Sequence, residues 1–281
     1  MTRAVRISWA LAALVACGGV TTVTTFVSRD ASPALEASAT LDGSLMGETG
    51  DRDAVADVSL AKRASIGPYE LSMLPPDRNV WYALPWSPED HRLIAHLHGQ
   101  CAPPVYSCGQ WIDAGAERGV LICPTGNEHC NDSPTGPAMW DESFALMDQD
   151  LERSVSIVSK KLGDGGVDRH GAIMTGFSRG AWAAIEIVRM HPGRWPLLVL
   201  VEGDVWINKA YLESSKVRAV AMVAAEQGTE LPGMRKSVDA MKAAGYPAEL
   251  FIMPKTYHLY STDIEQVMRQ ALSFVIEAQE R

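Results

Sequence analysis

From about residue 66 onward, two rhythms of apolar and polar positions alternate along the chain. The first consists of short, almost unbroken apolar runs: Arg92–Leu97, Gly119–Cys123, Gly171–Thr175, Leu197–Val201, Val217–Ala225 and Glu249–Met253. Runs of this length and β-branched content predict strands buried on both faces. Two further short runs, Tyr69–Leu74 and Asn79–Leu84, flank Pro75-Pro76-Asp77 and predict a pair of strands joined by a hairpin-like turn. The second rhythm has steps of three and four. Met147, Leu151, Val155, Val158 and Leu162 form the apolar stripe of an amphipathic helix. Helices are also expected over Gln110–Arg118, over Arg179–Met190 up to His191-Pro192-Gly193, and over Pro232–Ala244 up to Gly245. A last helix opens at Thr262-x-x-Glu265, read as a capping box, and gathers Ile264, Val267, Met268, Ala271 and Val275 on one face. Strands alternating with helices predict the α/β class: a single domain over residues 66–281, with a mainly parallel sheet and helices on both sides. No segment repeats.

The first 65 residues follow neither rhythm. Arg3 and Arg6 precede the apolar stretch Ile7–Ala16, and Cys17-Gly18-Gly19 follows it. A basic start, a short apolar core and small residues make an export signal. Leu14-Val15-Ala16-Cys17 resembles a bacterial lipobox, which assigns residues 1–17 to a lipoprotein-type signal and makes Cys17 the acylated residue. Cleavage without lipid and an uncleaved anchor extended by the uncharged Gly18–Val27 are the competing readings. Residues 18–65 then read as a flexible tether. The stretch 28–64 is rich in Ala, Ser, Asp, Thr and Gly and has no aromatic residue, so it buries too little apolar surface to offset the entropy of ordering. The expected location is the bacterial cell envelope, with a lipid-anchored, periplasmic or secreted chain.

Charge and cysteine content narrow the partners. A formal charge of −9 and no basic run longer than Lys160-Lys161 in the body of the chain argue against nucleic acid. Besides Cys17 there are four cysteines, Cys101, Cys108, Cys123 and Cys130, an even number that suggests two disulfides in an exported chain. The repeated spacing suggests 101–108 and 123–130 among three possible connectivities. The spacing is wider than zinc sites usually show, and neither a phosphate-binding glycine loop nor an HExxH signature is present. No metal and no cofactor are expected.

The chemistry centres on Gly176-Phe177-Ser178-Arg179-Gly180, a G-x-S-x-G set between an expected strand and an expected helix. A sharp strand-to-helix turn pushes such a serine into strained geometry, and its flanking glycines remove side chains that would obstruct it. A serine hydroxyl needs a base to accept its proton. Of seven histidines, His258 follows the last strand, His96 lies inside a strand as a structural residue, and His91, His129, His170 and His191 sit in turns or loops.

Together, His96-Leu97-His98-Gly99, Val167-Asp168-Arg169, Gly176–Gly180 and Tyr257-His258 resemble the α/β-hydrolases, on the small esterase and polyhydroxyalkanoate-depolymerase-like branch. The resemblance implies Ser178 as nucleophile and His258 as base. It also implies an oxyanion hole from the backbone N–H groups of Arg179 and Gln100, with Cys101 as the alternative to Gln100. The activity implied is carboxylic-ester hydrolysis on a small-molecule or polymer ester, against the alternative of a catalytically silent surface lipoprotein that binds a ligand or partner. An acyltransferase is a third reading. The family's usual Asp would fall at Gly228, four residues before Pro232, so the expected carboxylate is missing there. Asp204, after the preceding strand, is the leading replacement, with Glu226 and Glu230 as alternatives. Trp111, Trp140, Trp182, Trp206, Tyr257 and Tyr260 are candidates for an acyl pocket or, more simply, for the core.

Overall fold

Among the described residues, eight strands pair into one sheet whose order is β1-β2-β4-β3-β7-β8-β9-β10. The computed structural model describes residues 67–72, 78–141, 143–203 and 205–281. The expected export signal with Cys17, the whole of the expected tether over 18–65, and Asp204 lie outside the described residues. The strands are β1 (Tyr69–Leu71), β2 (Val80–Ala83), β3 (Arg92–Leu97), β4 (Val120–Pro124), β7 (Asp168–Phe177), β8 (Leu197–Val201), β9 (Ala219–Ala225) and β10 (Ala248–Met253). β1 and β2 pair antiparallel, as does β2 with β4, and every other pairing in this sheet is parallel.

Alternate side chains of the parallel strands enter two separate cores, as a pleated sheet covered on both faces requires. Leu93, Ala95, Met174, Leu198, Leu200, Val220 and Met222 pack on one face against α3 (Phe144–Leu162), α4 (Arg179–Met190) and α6 (Leu231–Ala243). Ile94, Leu121, Ile173, Val199, Val201, Ala221 and Val223 pack on the other against α2 (Ile112–Ala116) and α7 (Ile264–Glu280). The predicted stripe on α3 is confirmed at Met147, Leu151, Val155 and Val158, all buried. The remaining helices are α1 (Pro104–Gly109) and α5 (Lys209–Ser214).

Three local expectations change. The helix expected over 110–118 is shorter, α2 alone, and an unexpected helix, α1, precedes it, with buried Trp111 between the two. The box at Thr262-x-x-Glu265 does not close on its own helix. Asp263 is the N-cap and makes no side-chain cap bond, while the Glu265 carboxylate accepts the N–H groups of Asp113 and Ala114 at 3.0 and 2.8 Å. Packing of α2 against α7 brings the unpaired N–H groups of the shorter helix to that carboxylate. Between β4 and α3 the chain also makes a small hairpin, β5 (Glu128–His129) with β6 (Ala138–Met139), too short to leave a period-two signal.

The cysteines pair differently from the expected 101–108 and 123–130. Cys101 bonds Cys130 across a Cα separation of 5.6 Å, and Cys108 bonds Cys123 across 6.1 Å. α1 lies against β4, which brings Cys108 to Cys123, and the 128–139 hairpin brings Cys130 to the loop after β3.

Candidate active site

Ser178 stands between the last residue of β7 and the first of α4, at φ 53° and ψ −117°. That backbone is unusual for a residue with a side chain. Its neighbours explain the motif. A Cβ on Gly176 would lie 2.3 Å from the Gly180 carbonyl oxygen, and one on Gly180 would lie 2.0 Å from that of Leu97. Neither site tolerates a larger residue, because backbone occupies the space. The Ser178 N–H donates to the Val201 carbonyl at 2.9 Å, so the turn is tied to β8.

His258 arrives on the loop after β10. Its Nε2 lies 2.8 Å from Ser178 Oγ, and its Nδ1 lies 2.9 Å from Glu202 Oε2. An ionised carboxylate can only accept, so Nδ1 carries the hydrogen and Nε2 is left to accept from the serine hydroxyl. The His258 loop is held from several sides. Gln227 N–H donates to the Thr256 carbonyl at 3.0 Å, and the Phe177 ring packs 5.3 Å from the imidazole. Two residues on, the Tyr260 hydroxyl lies 3.0 Å from Ser107 Oγ. Ser107 Oγ is in turn 3.0 Å from Nε2 of buried His96, whose Nδ1 is 2.6 Å from Thr175 Oγ1. His96 is therefore a hydrogen-bonded structural residue, as expected. Burial pushes its pKa down to about 3, so the ring is neutral.

The carboxylate beside His258 was absent from the sequence-based candidates. It is Glu202, which directly follows β8 and is 1% exposed. Its backbone is left-handed, at φ 50°, and its N–H donates to the Val223 carbonyl at 2.8 Å. Oε1 accepts the N–H of Ala225 while Oε2 faces the imidazole. Burial raises the Glu202 pKa, and the Ala225 N–H and His258 offset part of that rise. Glu226 is not at the imidazole: its Oε2 accepts the Lys255 N–H at 2.9 Å and so shapes the loop that carries His258. Glu230 Oε1 lies 3.2 Å from the Thr229 hydroxyl. Asp204 lies outside the described residues; the carboxyl end of β8 brings Glu202 to the imidazole, and the N–H of Ala225, the last residue of β9, holds its other oxygen.

Gly228 explains the exchange. A Cβ there would sit 3.0 Å from Glu202 Oε2, so the carboxylate from position 202 occupies the space that an Asp at 228 would need. The signal in the sequence was Val201-Glu202-Gly203, a carboxylate at the very end of an apolar strand beside a glycine, paired with the missing Asp 26 positions on.

Ser178 and His258 open onto a cavity of about 240 Å³ walled by Gln100, Cys101, Tyr106, Phe177 and Tyr260. A larger cavity of about 440 Å³ lies among Arg169, Lys216 and Arg218, where β7 and β9 begin, away from the serine. Arg179 opens α4, so its N–H belongs to the first turn and has no intrahelical acceptor. Of the aromatic candidates, Trp111 and Trp140 are buried, while Trp182, Trp206 and Tyr257 are exposed. Among the described residues no group of three or more His, Cys, Asp or Glu side chains is placed to hold a metal ion.

No protein-family profile matches the chain, and no curated protein matches it. Solved structures do. An S-formylglutathione hydrolase from Agrobacterium tumefaciens superposes with a TM-score of 0.54 at 13% identity, covering 75% of this chain and 94% of its own. A bacterial heroin esterase gives 0.52 at 14% identity, covering 80% and 89%. The fluorophosphonate-binding serine hydrolase F of Staphylococcus aureus gives 0.51 at 12%, covering 74% and 96%. At these identities the likeness concerns architecture. With its mostly parallel sheet covered on both faces, and a serine raised on the turn between β7 and α4, the chain has the α/β-hydrolase fold.

Proposed function

We propose that the chain is a serine hydrolase that cleaves carboxylic esters through an acyl-serine intermediate. One observation carries the reading: an unbroken hydrogen-bonded line from Ser178 Oγ through both nitrogens of His258 to the buried Glu202 carboxylate. In the first half-reaction Ser178 Oγ attacks the ester carbonyl carbon while His258 Nε2 takes its proton. Glu202 holds the imidazole in the tautomer that can accept that proton and stabilises the imidazolium that forms. The N–H groups of Arg179 and Gln100 receive the tetrahedral oxyanion, at the start of a helix whose dipole favours negative charge. Collapse of the intermediate expels the alcohol, which leaves with the proton from Nε2. Water then repeats the sequence on the acyl-serine and regenerates Ser178. The substrate is a small-molecule or polymer ester with one substituent short enough for the cavity beside the serine.

A silent binding protein was suggested by the missing Asp at 228. A carboxylate from 202 in that space removes its main support. The test is labelling by a fluorophosphonate probe together with turnover of short p-nitrophenyl esters. Wild type is expected to do both and Ser178→Ala neither; labelling that survives the substitution removes Ser178 as nucleophile.

A further inference from the structure

We infer that the 126–140 excursion is a brace for the oxyanion hole, acting through His98 and Trp140 as positioning residues; this rests on the hydrolase reading above. Three ties run from the excursion to the loop after β3. Gly126 N–H donates to His98 Nε2 at 2.9 Å, Trp140 Nε1–H donates to the His98 carbonyl at 2.8 Å, and Cys130 is bonded to Cys101. The His98 ring is fully buried and stacked on Trp140 with ring centres 4.7 Å apart.

The tautomer of His98 follows from its partners. Nε2 faces an N–H and must accept, so Nδ1 carries the hydrogen and donates to the Gly99 carbonyl oxygen at 2.7 Å. That carbonyl belongs to the same planar unit as the Gln100 N–H, and a trans peptide points the two in opposite directions. Pinning the Gly99 oxygen toward the imidazole therefore turns the Gln100 N–H away from it, toward the cavity that Gly99, Gln100 and Ser178 share. Gly99 itself admits no side chain, because a Cβ would lie 2.8 Å from Cδ1 of Phe177. Two residues on, Cys101 is at φ 55°, a conformation the chain holds where the disulfide anchors it. Burial pushes the His98 pKa down to about 4, which keeps the ring in the neutral form with one donor and one acceptor.

The inference separates two substitutions of similar bulk. In His98→Asn the side-chain amide offers an N–H near the former Nδ1, whereas in His98→Gln it reaches the former Nε2 and leaves the Gly99 oxygen unpinned. His98→Asn is expected to keep more of kcat than His98→Gln, since it keeps the pin on the Gly99 oxygen while losing the Gly126 tie. His98→Gln is expected to lower kcat by about tenfold to a hundredfold with KM little changed, since loss of an oxyanion donor outright costs about 10²–10³. Affinity for a boronate transition-state analogue falls in the same ratio as kcat. Trp140→Phe keeps an aromatic ring beside His98 and removes the indole N–H, and is expected to lower kcat in the same sense without unfolding. Equal kcat values for the Asn and Gln variants, or unchanged kcat and analogue affinity in Trp140→Phe, overturn the brace while Ser178-dependent labelling still upholds the hydrolase. Labelling that does not depend on Ser178 sinks both.

Discussion

Glu202 shows how far one side chain can be displaced in sequence while its charge stays in place. The imidazole needs a carboxylate at Nδ1, and the fold offers two strand ends from which to deliver it, β8 and β9. A Glu from the first strand end needs a residue without a side chain on the second, and Gly228 meets that need. Glu202→Gln is expected to lower kcat by roughly 10²–10⁴, because the His258 and Ala225 N–H groups face different carboxylate oxygens and the amide puts an NH2 donor in place of one of them. Glu226→Ala and Glu230→Ala are expected to have far smaller effects. The sharper form is a rescue. Adding Gly228→Asp to Glu202→Ala restores at least about tenfold of the lost kcat, since the Asp then enters the space the Glu has left. No rescue, with Glu226→Ala as damaging as Glu202→Gln, would show that the carboxylate is assigned wrongly. Ser178 and His258 were legible because each is marked locally, one by a motif and one by its place after the final strand. Glu202 carries no such mark. Its role exists only where two loops meet, and an apolar strand followed by Glu-Gly looks like any strand end.

Elements were legible in proportion to their periodicity. The buried parallel strands and α3, α4, α6 and α7 fall close to where apolar spacing puts them, because burial on a sheet or helix face imposes that spacing. What failed was short. α1, α2 and the β5–β6 hairpin have two to six residues each and are held by partners distant in sequence, among them Glu265, Cys108–Cys123 and Cys101–Cys130. The cysteine spacing suggested local pairs, whereas α1 packs on β4 and exchanges them. The 108–123 bond closes a loop with a sequence separation of 15 and ties α1 to the sheet. Replacing both Cys108 and Cys123 by Ala is expected to cost about 3 kcal/mol and to lower Tm by roughly 5–10 °C in thermal unfolding. A Tm unchanged within error would show that α1 is held by packing alone.

At the scale of the whole molecule, two neutral histidines are buried in and just after β3. Burial lowers His96 to about 3 and His98 to about 4, against an ordinary value near 6.5 in the unfolded chain. Below about pH 6.5 the unfolded chain therefore binds protons that the fold refuses. Stability is full above that value and falls as the pH drops, by roughly 1 kcal/mol per pH unit for each histidine, until about pH 4 for His98 and about pH 3 for His96. Urea unfolding is expected to show a clearly lower midpoint at pH 5.5 than at pH 7. Equal midpoints would mean that one or both rings accept a proton without loss of structure.

The amino-acid sequence by itself determined the architecture and two of the three residues in the hydrogen-bonded line: apolar periodicity and a glycine-flanked turn are properties of neighbouring residues, and the resemblance to the α/β-hydrolases implied a base after the last strand. Only the tertiary structure decided the third residue, the disulfide partners and the bonds from Gly126 and Trp140 that hold the loop after β3. Each of these depends on which strand ends and loops come within about 3 Å of one another, and hydrogen bonds at that range join residues 23 to 56 positions apart that share no local pattern.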